Sequence, residues 1–139
     1  MVELTIKGNS VIPGAAKGVA LVSSEPLSFW GGYDWKTGEI IDRRHPLSGE
    51  IAKNKILAIP FTRGSSTSTS VLLEAVRAQT APAAIITTAA DFFFALASVV
   101  ADVLYAQPIP LVAISESDFA RLQTGDRLEI NGDKILVHR

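Results

Sequence analysis

Between residues 56 and 114 the chain alternates short apolar runs with longer stretches of helical periodicity. No other feature limits the possible folds as strongly. Ile56–Ile59 reads as a buried strand, and Val71–Gln79 as a helix with Val71, Leu72, Leu73 and Val76 facing inward. Ala83–Thr87 reads as a second buried strand. Phe92–Tyr105 reads as a second helix with Asp91 as its N-cap, and Leu111–Ile114 as a third strand. Strands joined through helices run parallel, with the helices packed on the sheet. The chain ends carry a different pattern. Val2, Leu4 and Ile6 alternate with Glu3, Thr5 and Lys7, Pro13-Gly14 forms a turn, and Gly18–Val22 reads as another strand. Glu116–Gln123 reads as a short helix with Phe119 and Leu122 on its apolar side. Arg127–Ile130 and Lys134–Val137 flank Asn131-Gly132, a hairpin signal. The expected fold is α/β, a three-layer β/β/α arrangement in one domain spanning residues 1–139, a length sufficient for one core.

The link between the first strand and helix of the parallel unit is Phe61-Thr62-Arg63-Gly64-Ser65-Ser66-Thr67-Ser68-Thr69-Ser70. A strand that turns through glycine into a helix leaves backbone N–H groups unpaired at the helix start. Those groups and the helix dipole favour an anion. Arg63 adds a positive charge, and a hydroxyl held there, Ser65 or Ser66, has its alkoxide form stabilised. By residue type alone the same run is a Ser/Thr-rich helix cap.

Ser23–Gly49 reads as a long irregular segment. Its aromatics and low net charge argue against disorder, so it is expected to be ordered on this protein's surface or on a partner's. Within it, Phe29 and Trp30 read equally as satellite core or as interface anchors. His45 reads as a loop-fixing hydrogen bonder, and Arg43 and Arg44 as solvated charges ahead of carboxylate clamps.

The 13 basic and 14 acidic residues leave a net charge of −1, with no basic field for nucleic acid and no polybasic membrane patch. The chain has no cysteine, so it forms no disulfide and cannot ligate an iron–sulfur cluster alone. Its two histidines lie far apart, which argues against a histidine-rich metal site. Phe92–Ala106 contains Ser98 and Asp102 and is too short to span a bilayer. Met1–Lys7 lacks the apolar region of a signal peptide, so a cytoplasmic location is expected.

Pro26-Leu27-Ser28-Phe29-Trp30-Gly31-Gly32, Ile41-Asp42, His45-Pro46-Leu47, Arg63-Gly64-Ser65-Ser66-Thr67, Val71-Leu72-Leu73-Glu74 and Ala81-Pro82-Ala83-Ala84 occur in this order. Together they resemble the small, swivel-domain subunit of aconitase X, over about Val11 to Val112. The resemblance implies a swivelling β/β/α fold and a two-subunit cytoplasmic dehydratase, active only as a heterodimer with its large subunit. The large subunit would carry the iron–sulfur cluster or iron, this chain binding none alone. It also implies Ser65 as the catalytic base that removes a proton alpha to a carboxylate. Arg63, Gly64 and Ser66 would bind the small hydroxy-acid substrate. Thr62 and Ser68 stand where the family pattern has glycine. The substrate reading is cis-3-hydroxy-L-proline, converted to delta-1-pyrroline-2-carboxylate. Its alternatives are the mevalonate 5-phosphate dehydratase small subunit and a non-catalytic swivel-type binding module. A serine hydrolase is a weaker reading, because the motif lacks the glycine of a nucleophile elbow and His45 would have to be the base.

Overall fold

The computed structural model describes residues 2–63, 66–89 and 92–139. The main sheet contains β1 (Val2–Lys7), β2 (Asn9–Ile12), β3 (Ala15–Val22), β5 (Ile56–Ala58), β7 (Ala84–Thr87), β8 (Leu111–Ala113), β9 (Arg127–Asn131) and β10 (Lys134–His138). Two short strands, β4 (Leu27–Ser28) and β6 (Thr62–Arg63), form a separate pair. The helical elements are α1 (Phe29–Gly32, a tight turn rather than a regular helix), α2 (Ser66–Arg77), α3 (Phe92–Tyr105) and α4 (Glu116–Phe119).

The main strands are ordered β1-β10-β9-β3-β5-β7-β8-β2. Its two end strands, β1 and β2, are separated in sequence by Gly8 alone, so the sheet has to fold back on itself. Glycine is required at that crossing. A Cβ on Gly8 would lie 2.6 Å from the Ala113 carbonyl oxygen and 2.8 Å from side-chain carbons of Val112 and Ile114. On the other side of the fold β3 belongs to both layers. Ala15–Val19 pair antiparallel with β9, and Ala20–Val22 pair parallel with β5.

Two cores result, because successive strand residues point to opposite faces. Ile56, Ala58, Ala84, Ile86 and Val112 meet Leu128, Ile130, Ile135 and Val137 of the antiparallel layer. Leu57, Ile59, Ile85 and Leu111 pack against Leu72, Ala75 and Val76 of α2 and Ala97 and Ala101 of α3. The expected β/β/α layering is therefore present, with β5–β7–β8 parallel between helices and antiparallel strands.

Several expectations need correction. β2 was not anticipated: Asn9-Ser10 is polar, and its pairing with β8 is a long-range contact that local pattern does not encode. β3 begins at Ala15, three residues before the expected Gly18. α2 begins at Ser66 rather than Val71, so the Ser/Thr run is helical. Such residues are tolerated in a first turn, whose N–H groups lack intrahelical partners. α4 ends at Phe119 rather than Gln123, and the Ser115 hydroxyl caps it by accepting the Asp118 N–H at 3.1 Å. In the hairpin Asn131 pairs with Lys134, which leaves Gly132, at φ 63°, and Asp133 as the loop.

The 23–49 segment is not confined to the surface. It buries Leu27, Phe29, Tyr33, Ile40 and Leu47 in the helix-side core. Phe29 and Tyr33 stack edge to face at 4.9 Å. The Tyr33 hydroxyl donates to the Thr80 carbonyl at 2.6 Å, tying the segment to the end of α2. Burial pushes the Tyr33 phenol above its ordinary value. The unfolded chain ionises this group near pH ~10 while the folded chain does not. Its contribution to stability is thus complete below about pH 10 and declines as pH rises beyond it. Tyr33→Phe is expected to cost about 1–3 kcal/mol near neutrality by leaving the carbonyl unpaired. It should also flatten the alkaline fall in urea midpoint, measured from pH 8 to 11.

Candidate functional site at the carboxyl edge of the parallel strands

β5 is fully buried, and it carries the chain to the edge where the motif lies. The Pro60 carbonyl there accepts both the backbone N–H of Thr88, at 3.1 Å, and its hydroxyl, at 3.2 Å. This ties the exit of β5 to the exit of β7. The two strands are parallel, so both leave at one edge, and α2 and α3 start from it. The carboxyl edge of a parallel sheet is where ligands of open α/β folds bind.

The approach to the motif is fixed by a contact that the sequence reading missed. β6 pairs parallel with β4, Leu27 opposite Thr62 and Ser28 opposite Arg63. Two-residue strands have no periodicity, so no local signal marks this pairing. Of the expected site residues, Arg63 ends β6 and Ser66 opens α2, with two residues between them in the chain. Gly64 and Ser65 lie outside the described residues, as does Asp91, and the side chains of Arg63 and Ser66 are likewise not described.

Beside β4, an open cleft of about 630 Å³ is lined by Glu25, Pro26, Ser28, Asp42, Arg43, Arg44 and His45. Ser28 joins this cleft to the motif strand. Asp42 Oδ1 accepts the Arg44 N–H at 3.0 Å, shaping the turn that exposes both arginines. Among the described residues neither guanidinium forms an ion pair. His45 is buried, its Nδ1 accepting the Leu47 N–H at 3.1 Å and its Nε2 lying 3.2 Å from the Glu25 carbonyl. The partners assign the proton to Nε2. The ring therefore fixes the loop, as expected, and has no free lone pair to serve a serine nucleophile. That removes the hydrolase reading.

Phe29 and Trp30, read alike from sequence, separate in the structure. Phe29 is core at 1% exposure, and Trp30 is 66% exposed. Among the described residues no group of three or more His, Cys, Asp or Glu could hold a metal ion. With no cysteine in the chain, these residues do not fit an iron–sulfur cluster. Among the described residues no helix is long and apolar enough to cross a membrane.

A β/β/α sandwich in which Arg63 ends a strand and Ser66 opens a helix, with Gly64 and Ser65 between them in the chain, is the architecture of a swivel-type domain. The family model "Aconitase X swivel domain" matches residues 5–138. This chain belongs to the aconitase X swivel-domain family. It is 38% identical over 129 residues to the cis-3-hydroxy-L-proline dehydratase of Hypocrea jecorina, covering 93% of this chain and 22% of that protein. It is 41% identical over 131 residues to the enzyme of the same name from Pseudomonas aeruginosa, covering 89% of this chain and 22% of that protein. The chain thus spans about a fifth of the length of these two relatives. It is also 32% identical over 135 residues to the phosphomevalonate dehydratase small subunit of Methanosarcina mazei, covering 96% of this chain and 90% of that one. The crystal structure of Thermococcus kodakaraensis aconitase X in its holo form superposes with a TM-score of 0.87 at 29% identity, covering 98% and 99% of the two chains.

Proposed function

We propose that this chain is the small subunit of an aconitase X-type hydro-lyase that dehydrates cis-3-hydroxy-L-proline to delta-1-pyrroline-2-carboxylate. The observation that carries the reading is the 38% and 41% identity to two proteins of that activity over about nine-tenths of this chain. Ser65 acts as the base. Its alkoxide accepts the proton from the carbon alpha to the carboxylate, and the electron pair of that C–H bond forms the double bond. The 3-hydroxyl departs with its C–O pair and takes the proton collected by Ser65, leaving as water and restoring the alkoxide. The resulting enamine shifts a proton to give the cyclic imine. A serine works as a base only where its alkoxide is held by positive charge. The N–H groups opening α2 and the Arg63 guanidinium are assigned that role, with Gly64 and Ser66 contacting the substrate. An iron–sulfur cluster belongs to the large subunit in this reading, since this chain lacks the residues to hold one.

A second reading, mevalonate 5-phosphate as substrate, is favoured by the separate small-subunit chains of the phosphomevalonate relatives. It is also favoured by the two unpaired arginines in the cleft beside β4, which suit a phosphate. The test is anaerobic reconstitution with the large subunit and separate assay of the two substrates. Turnover of cis-3-hydroxy-L-proline is expected. Turnover of mevalonate 5-phosphate alone would establish the second reading. A formed, iron-loaded complex inactive on both would point to another hydroxy acid.

A further inference from the structure

α3 is built inside out. A helix on a protein surface normally turns an apolar stripe to the core and a polar face to water. α3 is 14 residues long with Asp102 as its one charged residue. Among its described side chains the fully buried ones are small, Ala97, Ser98 and Ala101, with Tyr105 half-buried at its end. Ser98 is the polar exception, and it is satisfied twice, donating to the Ile109 carbonyl and accepting the Ile109 N–H, both at 2.7 Å. The large aliphatic side chains point the other way. Leu96, Val99, Val103 and Leu104 are 38, 51, 78 and 61% exposed. At about 3.6 residues per turn, Leu96, Val99 and Val103 form one stripe opposite the buried Ala97–Ala101 side. A helix that is apolar all round belongs in an interior, yet this one has a covered side and an uncovered side.

We infer that the Leu96–Val99–Val103 stripe of α3, with Leu104 at its border, is the surface on which this chain docks its large subunit. The inference rests on the reading above and adds to it the face that is used. In the hydroxyproline dehydratase relatives this domain is 22% of the polypeptide, so a much larger body accompanies it by covalent linkage. In the phosphomevalonate relatives the corresponding chain is by name a small subunit. α3 starts at the carboxyl edge, the edge of the candidate site. A body that closes over that edge and continues along α3 covers the stripe. Exposed aliphatic residues on one helix face supply the desolvated centre such an interface needs.

The test is the double variant Val99→Lys, Val103→Lys, with Lys134→Glu on the antiparallel layer as a control. Both sites of the double variant are solvent-exposed, so circular dichroism and thermal midpoint of the isolated chain are expected to stay close to wild type. Affinity for the large subunit, measured by calorimetry, is expected to fall at least about tenfold, with the control unchanged. Equal affinity of wild type and double variant would overturn this inference while leaving the proposed function standing. Failure of the wild-type chain to bind the large subunit at all would overturn both. A wild-type self-dimer in sedimentation that the double variant abolishes, with large-subunit affinity untouched, would assign the stripe to a second copy instead.

Discussion

Under the proposed function, Ser65→Ala is expected to lower dehydratase turnover of the complex reconstituted with a large subunit by about 10²- to 10⁴-fold, the range lost when a positioned base is removed. The substituted methyl group cannot accept the alpha proton, and the buried histidine beside the motif strand is not free to replace it. His45, the buried histidine of the loop, uses both ring nitrogens on backbone groups. Affinity for the large subunit should not change, because the variant removes one hydroxyl. Calorimetry of the complex checks that point and stopped-assay turnover the first. Near-normal turnover in a complex of unchanged affinity would remove Ser65 from the mechanism and return the Ser/Thr run to the role of a helix cap. Loss in kcat with KM little changed is the expected split, since the alkoxide acts in the transition state more than in binding.

Phe29→Ala is expected to destabilise the isolated chain by about 3–5 kcal/mol, the usual cost of emptying a buried phenyl site. Phe29 is among the largest fully buried side chains. It stacks on Tyr33, and it follows directly on the strand that pairs with the approach to Gly64. Its loss should therefore lower the urea midpoint and also loosen the β4–β6 pair. Hydrogen exchange at Thr62 and neighbouring amides reads the second effect. Trp30→Ala, one residue on but 66% exposed, should change stability by roughly 0.5 kcal/mol or less. Similar losses for the two variants would contradict the division of this aromatic pair into a core residue and a surface residue.

The contrast between these adjacent aromatics marks how far the sequence could be read. The parallel unit was legible because its strands are fully buried and its helices periodic. Ile56–Ile59, Ala83–Thr87 and Phe92–Tyr105 are patterns whose cause is local. The Asn131-Gly132 hairpin is local in the same way. The 23–49 segment was not legible. Leu27, Phe29, Tyr33, Ile40 and Leu47 share a core without sharing a period. What holds them is set by distant partners: Thr62 opposite Leu27, and the Thr80 carbonyl under Tyr33.

Local pattern was enough for the layer type and for the parallel direction of the central strands. Those follow from alternation and helical period, which are properties of neighbours in the chain. Long-range packing is what sets β1 and β2 at opposite ends of one sheet across Gly8, braces the approach to the motif with the 23–49 segment, and leaves Leu96, Val99, Val103 and Leu104 of α3 exposed while Ala97 and Ala101 are buried. These depend on which surfaces meet after the chain has folded. A run of apolar residues states only that it is to be buried; packing decides which side of it is.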